Sequence, residues 1–142
     1  MIKYVSGDKM EFINVDEHII LTDFYRECEL EIDENWVEEM NPQKSIALYN
    51  DKALISAATV SKRFGKTVLD YIAVKAEFRK RGIGKIMLDK ILENEDEVYL
   101  TARNYDFFCK NGFRAIEDNA LIKECLGCPQ YNKNCFPRVM KR

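Results

Sequence analysis

Residues 79 to 85 read Arg-Lys-Arg-Gly-Ile-Gly-Lys, a spacing of bases and glycines suited to holding an anion. The segment follows a β-rich run ending at Val74 and opens an apolar stripe, Ile83, Met87 and Ile91, at helical spacing. A strand thus hands over to a helix amino terminus, where backbone N–H groups point outward and the helix dipole adds positive potential. The absent side chains at Gly82 and Gly84 are expected to let a phosphate approach the main chain. No Gly-x4-Gly-Lys-[Ser/Thr] run occurs, so this is not a P-loop, and two glycines fall short of the three in a dinucleotide fingerprint.

Two stretches carry a family resemblance. Val74-Lys-Ala-Glu-Phe-Arg-Lys-Arg-Gly-Ile-Gly-Lys-Ile-Met-Leu88 resembles the acyl-CoA-binding motif of the GNAT N-acetyltransferase superfamily, with Arg79, Gly82 and Gly84 at its three defining positions. Phe107-Phe-Cys-Lys-Asn-Gly-Phe113 is similar to that family's Phe-Tyr-x-Lys-x-Gly-Phe segment. The resemblance covers roughly Ser45 to Lys123. It implies an α+β fold layered α/β/α: a mixed, mostly antiparallel sheet of about six to seven strands, splayed between strands 4 and 5, with about four helices.

It also implies acetyl-CoA as cosubstrate. The pantetheine arm would lie in the splay against Ile72, Ala73 and Val74, with the pyrophosphate on the amides of Arg79, Lys80, Arg81, Gly82, Ile83, Gly84 and Lys85. Asn104, Phe107, Phe108 and Lys110 would contribute cofactor contacts from the second segment, Asn104 being equally readable as a helix N-cap. Family members pass the acyl group directly to an amine, so no nucleophilic Ser or Cys is required.

Direct transfer calls for a base to deprotonate the ammonium and an acid to meet the thiolate. Asp70 is the candidate base, because two-residue alternation puts it on the strand face of Ile72 and Val74. It also reads as a solvated strand residue, and Tyr71 and Glu77 are substitutes. The family's thiolate-protonating tyrosine aligns with Phe108, which has no hydroxyl. Tyr105, one helical turn earlier, is the candidate acid, with Cys109, water or no dedicated acid at all as alternatives.

The elements that must position these residues follow from periodicity. A strand near Ile2 to Val5 or Met10 to Asn14 leads to Asp16, a cap for a helix carrying Ile20, Phe24 and Cys28. A second helix is expected from Asp33 through Met40, ended by Pro42. Strands Ser45 to Tyr49 and Ala53 to Val60 flank a turn at Asn50-Asp51, and Phe64-Gly65-Lys66 reverses the chain into Thr67 to Val74. After the glycine turn and its helix come a strand at Val98 to Thr101 and a helix from Asn104 to Lys110, stopped at Asn111-Gly112. Phe113 to Ile116 and Leu121 to Lys123 are expected to pair as a last hairpin about Asp118-Asn119.

With 142 residues the chain fits one domain, expected over 1–124 with a cysteine-rich basic tail over 125–142. No apolar stretch is long enough to span a bilayer and no secretory signal opens the chain, so a cytoplasmic location is expected. One histidine rules out chemistry that needs two. Of five cysteines, Cys125, Cys128 and Cys135 have knuckle-like spacing and could hold zinc with Cys109 or Cys28 as a fourth ligand, or remain ordinary thiols. That tail also admits a metal- or redox-responsive interaction protein as a separate reading, and loss of the tyrosine at Phe108 admits a CoA sensor without catalysis.

Net charge is -2, unevenly spread. Glu27, Glu29, Glu31, Asp33, Glu34, Glu38 and Glu39 form a block without a base, whereas Lys75, Arg79, Lys80, Arg81 and Lys85 face only Glu77. This suits an anionic cofactor on one side and a cationic small-molecule or peptide amine on the other. Lys133, Arg138, Lys141 and Arg142 are too small a footprint for nucleic acid, and a monomer or homodimer is expected.

Overall fold

The computed structural model describes residues 4–5, 8–117 and 138–142. Among them are eight strands: β1 (Tyr4–Val5), β2 (Asp8–Val15), β3 (Pro42–Asn50), β4 (Ala53–Arg63), β5 (Lys66–Val74), β6 (Tyr99–Ala102), β7 (Arg114–Ala115) and β8 (Arg138–Lys141). They form one sheet in the order β1-β2-β3-β4-β5-β6-β8-β7. Every neighbouring pair is antiparallel except β5 and β6, which run parallel across the connection through a helix. The expected mixed sheet is present. Its parallel junction falls between β5 and β6 because the short β1 adds one to the count.

The helices are α1 (Thr22–Glu27), α2 (Trp36–Met40), α3 (Ile83–Ile91) and α4 (Tyr105–Lys110). Ile83, Met87, Leu88 and Ile91 of α3 are buried with Leu69, Val60, Leu100 and Phe108 on one sheet face. On the other face Phe24, Tyr25 and Trp36 of the α1–α2 layer cover Ala47, Ala57, Tyr71 and Ala73. The sheet is therefore buried on both sides, which is why its central strands read as nearly continuous apolar runs.

Local chemistry explains most boundaries. Phe64 (φ 54°) and Gly65 (φ 69°) are both left-handed, the conformation that lets a two-residue turn join β4 to β5 with Arg63 opposite Lys66. Gly112 (φ 92°) stops α4, with the Phe113 amide donating to the Phe108 carbonyl at 3.0 Å. Elsewhere the structure departs from the spacing. The β3–β4 reversal is at Asp51-Lys52, one residue later, since Asn50 still pairs with Ala53. Asp16 does not cap an α-helix; a 3-10 turn at His18–Leu21 intervenes. The second helix starts at Trp36 rather than Asp33, and left-handed Asn41 (φ 50°) ends it so that Pro42 begins β3. The strand found beside β7 is β8, from the stretch read as tail, whereas Leu121 to Lys123 lie outside the described residues.

A chain of hydroxyls ties the α1–α2 layer to the sheet. Tyr25 Oη lies 2.7 Å from Thr59 Oγ1, Thr59 Oγ1 lies 2.7 Å from Ser45 Oγ, and Ser45 Oγ lies 2.7 Å from His18 Nδ1. Tyr25, Ser45 and Thr59 are buried, and their hydroxyls satisfy one another along this chain. Trp36 Nε1 adds a 2.8 Å bond to Thr22 Oγ1. Burial raises the Tyr25 pKa and lowers that of His18, the latter against a smaller opposing pull from Asp16.

Replacing Thr59 with Val is expected to cost about 1–3 kcal/mol in urea denaturation, because two buried hydroxyls lose a partner at once. His18 makes stability pH-dependent. Its folded-state pKa lies below 6.5, so its contribution is full above that value and is lost as pH falls through the folded one. The slope of urea midpoint against pH over this window should flatten in H18Q.

Candidate functional site

β5 and β6 are bridged only at Val68 and Tyr99. Beyond that point β5 continues to Val74 while paired with β4 on its other side, so among the described residues its β6 side has no partner strand. Ile72 and Val74 are half-buried along this opening, at the margin of the α3 cluster with Phe78 and Phe107. A Cβ on Gly84 would lie 3.2 Å from the Phe107 ring and 3.9 Å from Val74, which brings the end of β5, the start of α3 and the middle of α4 together at the head of the gap.

The amino end of α3 is open. Arg79 N donates to Ala76 O at 3.3 Å, but among the described residues the amides of Lys80 to Lys85 have no acceptor in the protein. The first helical bond is Ile86 N to Gly82 O at 3.2 Å, and Gly82 as N-cap has no side chain to cap the turn. Six consecutive unspent donors at a helix amino end suit an anion. The basic side chains are partly tethered: Arg79 Nε donates to Val74 O at 3.0 Å, Arg81 stacks 5.1 Å over Phe78, and Lys85 pairs with Asp89 at 2.8 Å.

The two glycines serve different ends. Gly82 (φ 78°) adopts a left-handed backbone with open space where a Cβ would stand. Gly84 was expected to admit a phosphate; its missing side chain instead admits the Phe107 ring. Phe107 thus works through packing that couples α4 to the cradle.

The second segment is placed as follows. Asn104 caps α4, accepting from Phe107 N at 3.3 Å. Phe108 is buried, with its ring edge-on to Phe107 and Phe113 at 5.1 and 5.5 Å. Lys110 is exposed at the far end of α4. Tyr105, the candidate acid, is exposed with Arg138 stacked 5.6 Å over its ring. Arg138 belongs to β8, which flanks β6 on the side away from the opening. A hydrogen bond with Cys109 raises the Tyr105 pKa.

Asp70 also departs from expectation. Thr59 pairs with Tyr71 and Val60 with Leu69, so Asp70 is the extra residue of a β-bulge, and alternation fails there. Its carboxylate accepts from Arg63 Nη1 at 2.5 Å, and the same nitrogen donates to Ser61 Oγ at 2.6 Å. Ser61 and Arg63 alternate with Thr59 on β4, which places Asp70 toward the α1–α2 layer, opposite Ile72 and Val74. Of the substitutes, Tyr71 is buried and stacks on Tyr25 at 5.0 Å, and Glu77 is exposed beside Lys75 at 3.7 Å. Arg63 and Ser61 were missed by sequence reasoning, and only their same-face spacing with Thr59 hinted at them.

Cys28 is buried and Cys109 exposed; Cys125, Cys128 and Cys135 lie outside the described residues. Among the described residues no cluster of three metal-ligating side chains occurs and no helix is long and apolar enough to cross a membrane.

The family model described as Acetyltransferase (GNAT) family matches residues 10–113. An uncharacterized N-acetyltransferase of Chlorobaculum tepidum is 32% identical over 68 residues, covering 42% of this chain and 44% of that protein. The match therefore spans less than half of that relative. Among solved structures, N-acetylglutamate synthase from Neisseria gonorrhoeae, complexed with coenzyme A and N-acetyl-glutamate, superposes with TM-score 0.69 at 16% identity, over 94% of this chain and 34% of that one. The ribosomal-protein-S18-alanine N-acetyltransferase from Escherichia coli superposes with TM-score 0.69 at 12% identity, over 93% of this chain and 92% of that one. At these identities the superpositions establish the fold.

If the amides of 80–85 form an anion cradle, titrating inorganic pyrophosphate into isotope-labelled protein shifts their amide resonances first. Unmoved resonances at Gly82 to Lys85 at saturating pyrophosphate would deny the cradle.

Proposed function

The chain belongs to the GNAT acetyltransferase family, and from that premise we propose that it transfers the acetyl group of acetyl-CoA directly to a primary amine. One observation carries this reading: among the described residues, unpartnered amides at Lys80 to Lys85 stand beside a strand, β5, that has no partner strand on its β6 side beyond Val68. The pyrophosphate fits the first as an anion at a helix amino end. The pantetheine amides fit the second as an added strand, with Ile72 and Val74 as apolar wall and Ala73 between them.

In the transfer, the amine nitrogen attacks the thioester carbonyl, a C–N bond forms and the C–S bond breaks. The nitrogen's proton and the departing thiolate together yield free coenzyme A thiol. A thiolate with a pKa near that of cysteine, about 8.5, is a tolerable leaving group near neutral pH. The buried Phe108 and the exposed Tyr105 therefore do not bar turnover. Asp70, already engaged by Arg63, is not assigned the base; the amine reacts as its neutral form.

The acceptor proposed is cationic, a small molecule or peptide. Glu27, Glu29, Glu31, Asp33, Glu34, Glu38 and Glu39 are all exposed, on α1, α2 and the connection between them, on the sheet face opposite α3. Such a one-signed rim concentrates cations. The relatives' names include acceptors of both kinds, an amino acid and a protein alanine. A second reading, CoA binding without turnover, is favoured by the absence of a hydroxyl at Phe108, and tight CoA binding by calorimetry without turnover would support it.

Mixing the protein with acetyl-CoA and a panel of polyamines, amino acids and lysine peptides should release thiol, read with a thiol-reactive dye. G82D, which places a carboxylate in the cradle, should raise KM for acetyl-CoA about 10- to 100-fold, the scale of one lost charge-assisted hydrogen bond. Absence of thiol release on every amine defeats the enzyme reading.

A further inference from the structure

Residues 68 to 74 read Val-Leu-Asp-Tyr-Ile-Ala-Val, with Asp70 the one charged residue. Leu69, Ile72 and Val74 pack with the α3 cluster, while Tyr71 and Ala73 pack under α1 and α2. A strand apolar on both faces has little hydrophobic reason to prefer one register over a slip by one residue, which would exchange its faces. Something else must select the register.

Asp70 meets that need. On the α3 face its carboxylate would stand among Leu69, Ile72 and Val74, where a charge without a partner is costly. On the opposite face it meets Arg63, whose Nη1 it shares with Ser61, and its side chain is only 2% exposed there. Satisfying that pair forces residue 70 to be the extra residue, with Thr59 opposite Tyr71 and Val60 opposite Leu69. Bulges bend the strand and sharpen its twist. The bridge between β5 and β6 lies at Val68, two residues before the bulge, and among the described residues β5 has no partner strand on that side beyond it.

We propose that Arg63 and Asp70 are positioning residues for acyl-CoA: their ion pair locks the extra residue into β5 and so holds the main chain of residues 71–74 clear of β6. The proposal rests on the acyltransferase reading above and gives Asp70 a role other than base. A buried pair of this kind adds little net stability over apolar replacements but penalises any register that leaves one charge alone. Selecting a register is therefore what it does best.

The test compares wild type with D70N and with the double variant R63M/D70L, which removes both charges of the pair together. Coenzyme A affinity is read by calorimetry, and kcat against pH on every variant that turns over. The expected result is a folded double variant that binds coenzyme A about 10- to 100-fold more weakly, the scale seen when a residue that orients ligand contacts is removed. D70N should follow in affinity while keeping the wild-type pH profile. A folded double variant with wild-type affinity overturns the proposal. So does a D70N protein that loses kcat and a pH limb with affinity intact, since Asp70 would then be the base. Wild type that binds coenzyme A without releasing thiol defeats the enzyme reading alone, and wild type that does not bind it defeats both.

Discussion

β5 parts from β6 after Val68, and the candidate site depends on that separation. A sheet strand buried on both faces ordinarily spends its backbone groups on two neighbours. Among the described residues one neighbour is withdrawn beyond Val68, which leaves backbone edge within the sheet rather than at its rim. The edge strands end at β1 and β7, far along the order from this gap. An internal edge has defined walls, and a ligand that enters it completes the sheet instead of extending it.

The amino end of α3 supplies the other half of the arrangement through the same logic of unspent donors. Gly82 matters because its φ of 78° turns the chain into the helix without a capping side chain, and Gly84 because the Phe107 ring packs close against it, 3.2 Å from where a Cβ would stand. Arg79 bonds the Val74 carbonyl and Arg81 lies on Phe78, so part of the positive charge is committed to holding the loop. The main chain presents the donors, while the bases set the sign of the field around them.

The two faces of the sheet are unlike in charge and in construction. The α3 side is a dense aliphatic core under a basic turn. The α1–α2 side carries an aromatic cluster of Tyr25, Trp36 and Tyr71, tied down by the hydroxyl chain to His18 and ringed by exposed acids. The gap between β5 and β6 is where these two sides meet.

Much of this was legible in the chain itself. The strand, glycine turn and helix around residues 74 to 91 follow from local spacing, as do the turn at Phe64-Gly65 and the stop at Gly112, because each depends on a few adjacent backbone angles. The family motif lies in the same local stretch. What tertiary structure alone decided concerns partners far apart in sequence. Asp70 faces Arg63 rather than Ile72 because a bulge breaks the alternation, and a run apolar on both faces gives no periodic signal of a bulge. Phe107 fills the hollow at Gly84, Tyr105 turns to Arg138, and Arg138–Lys141 forms a strand between β6 and β7, all through pairings that no window of residues contains. Local sequence determines what a segment's backbone can do within a turn or two; which face a side chain takes is settled by the neighbour strand that sets the register.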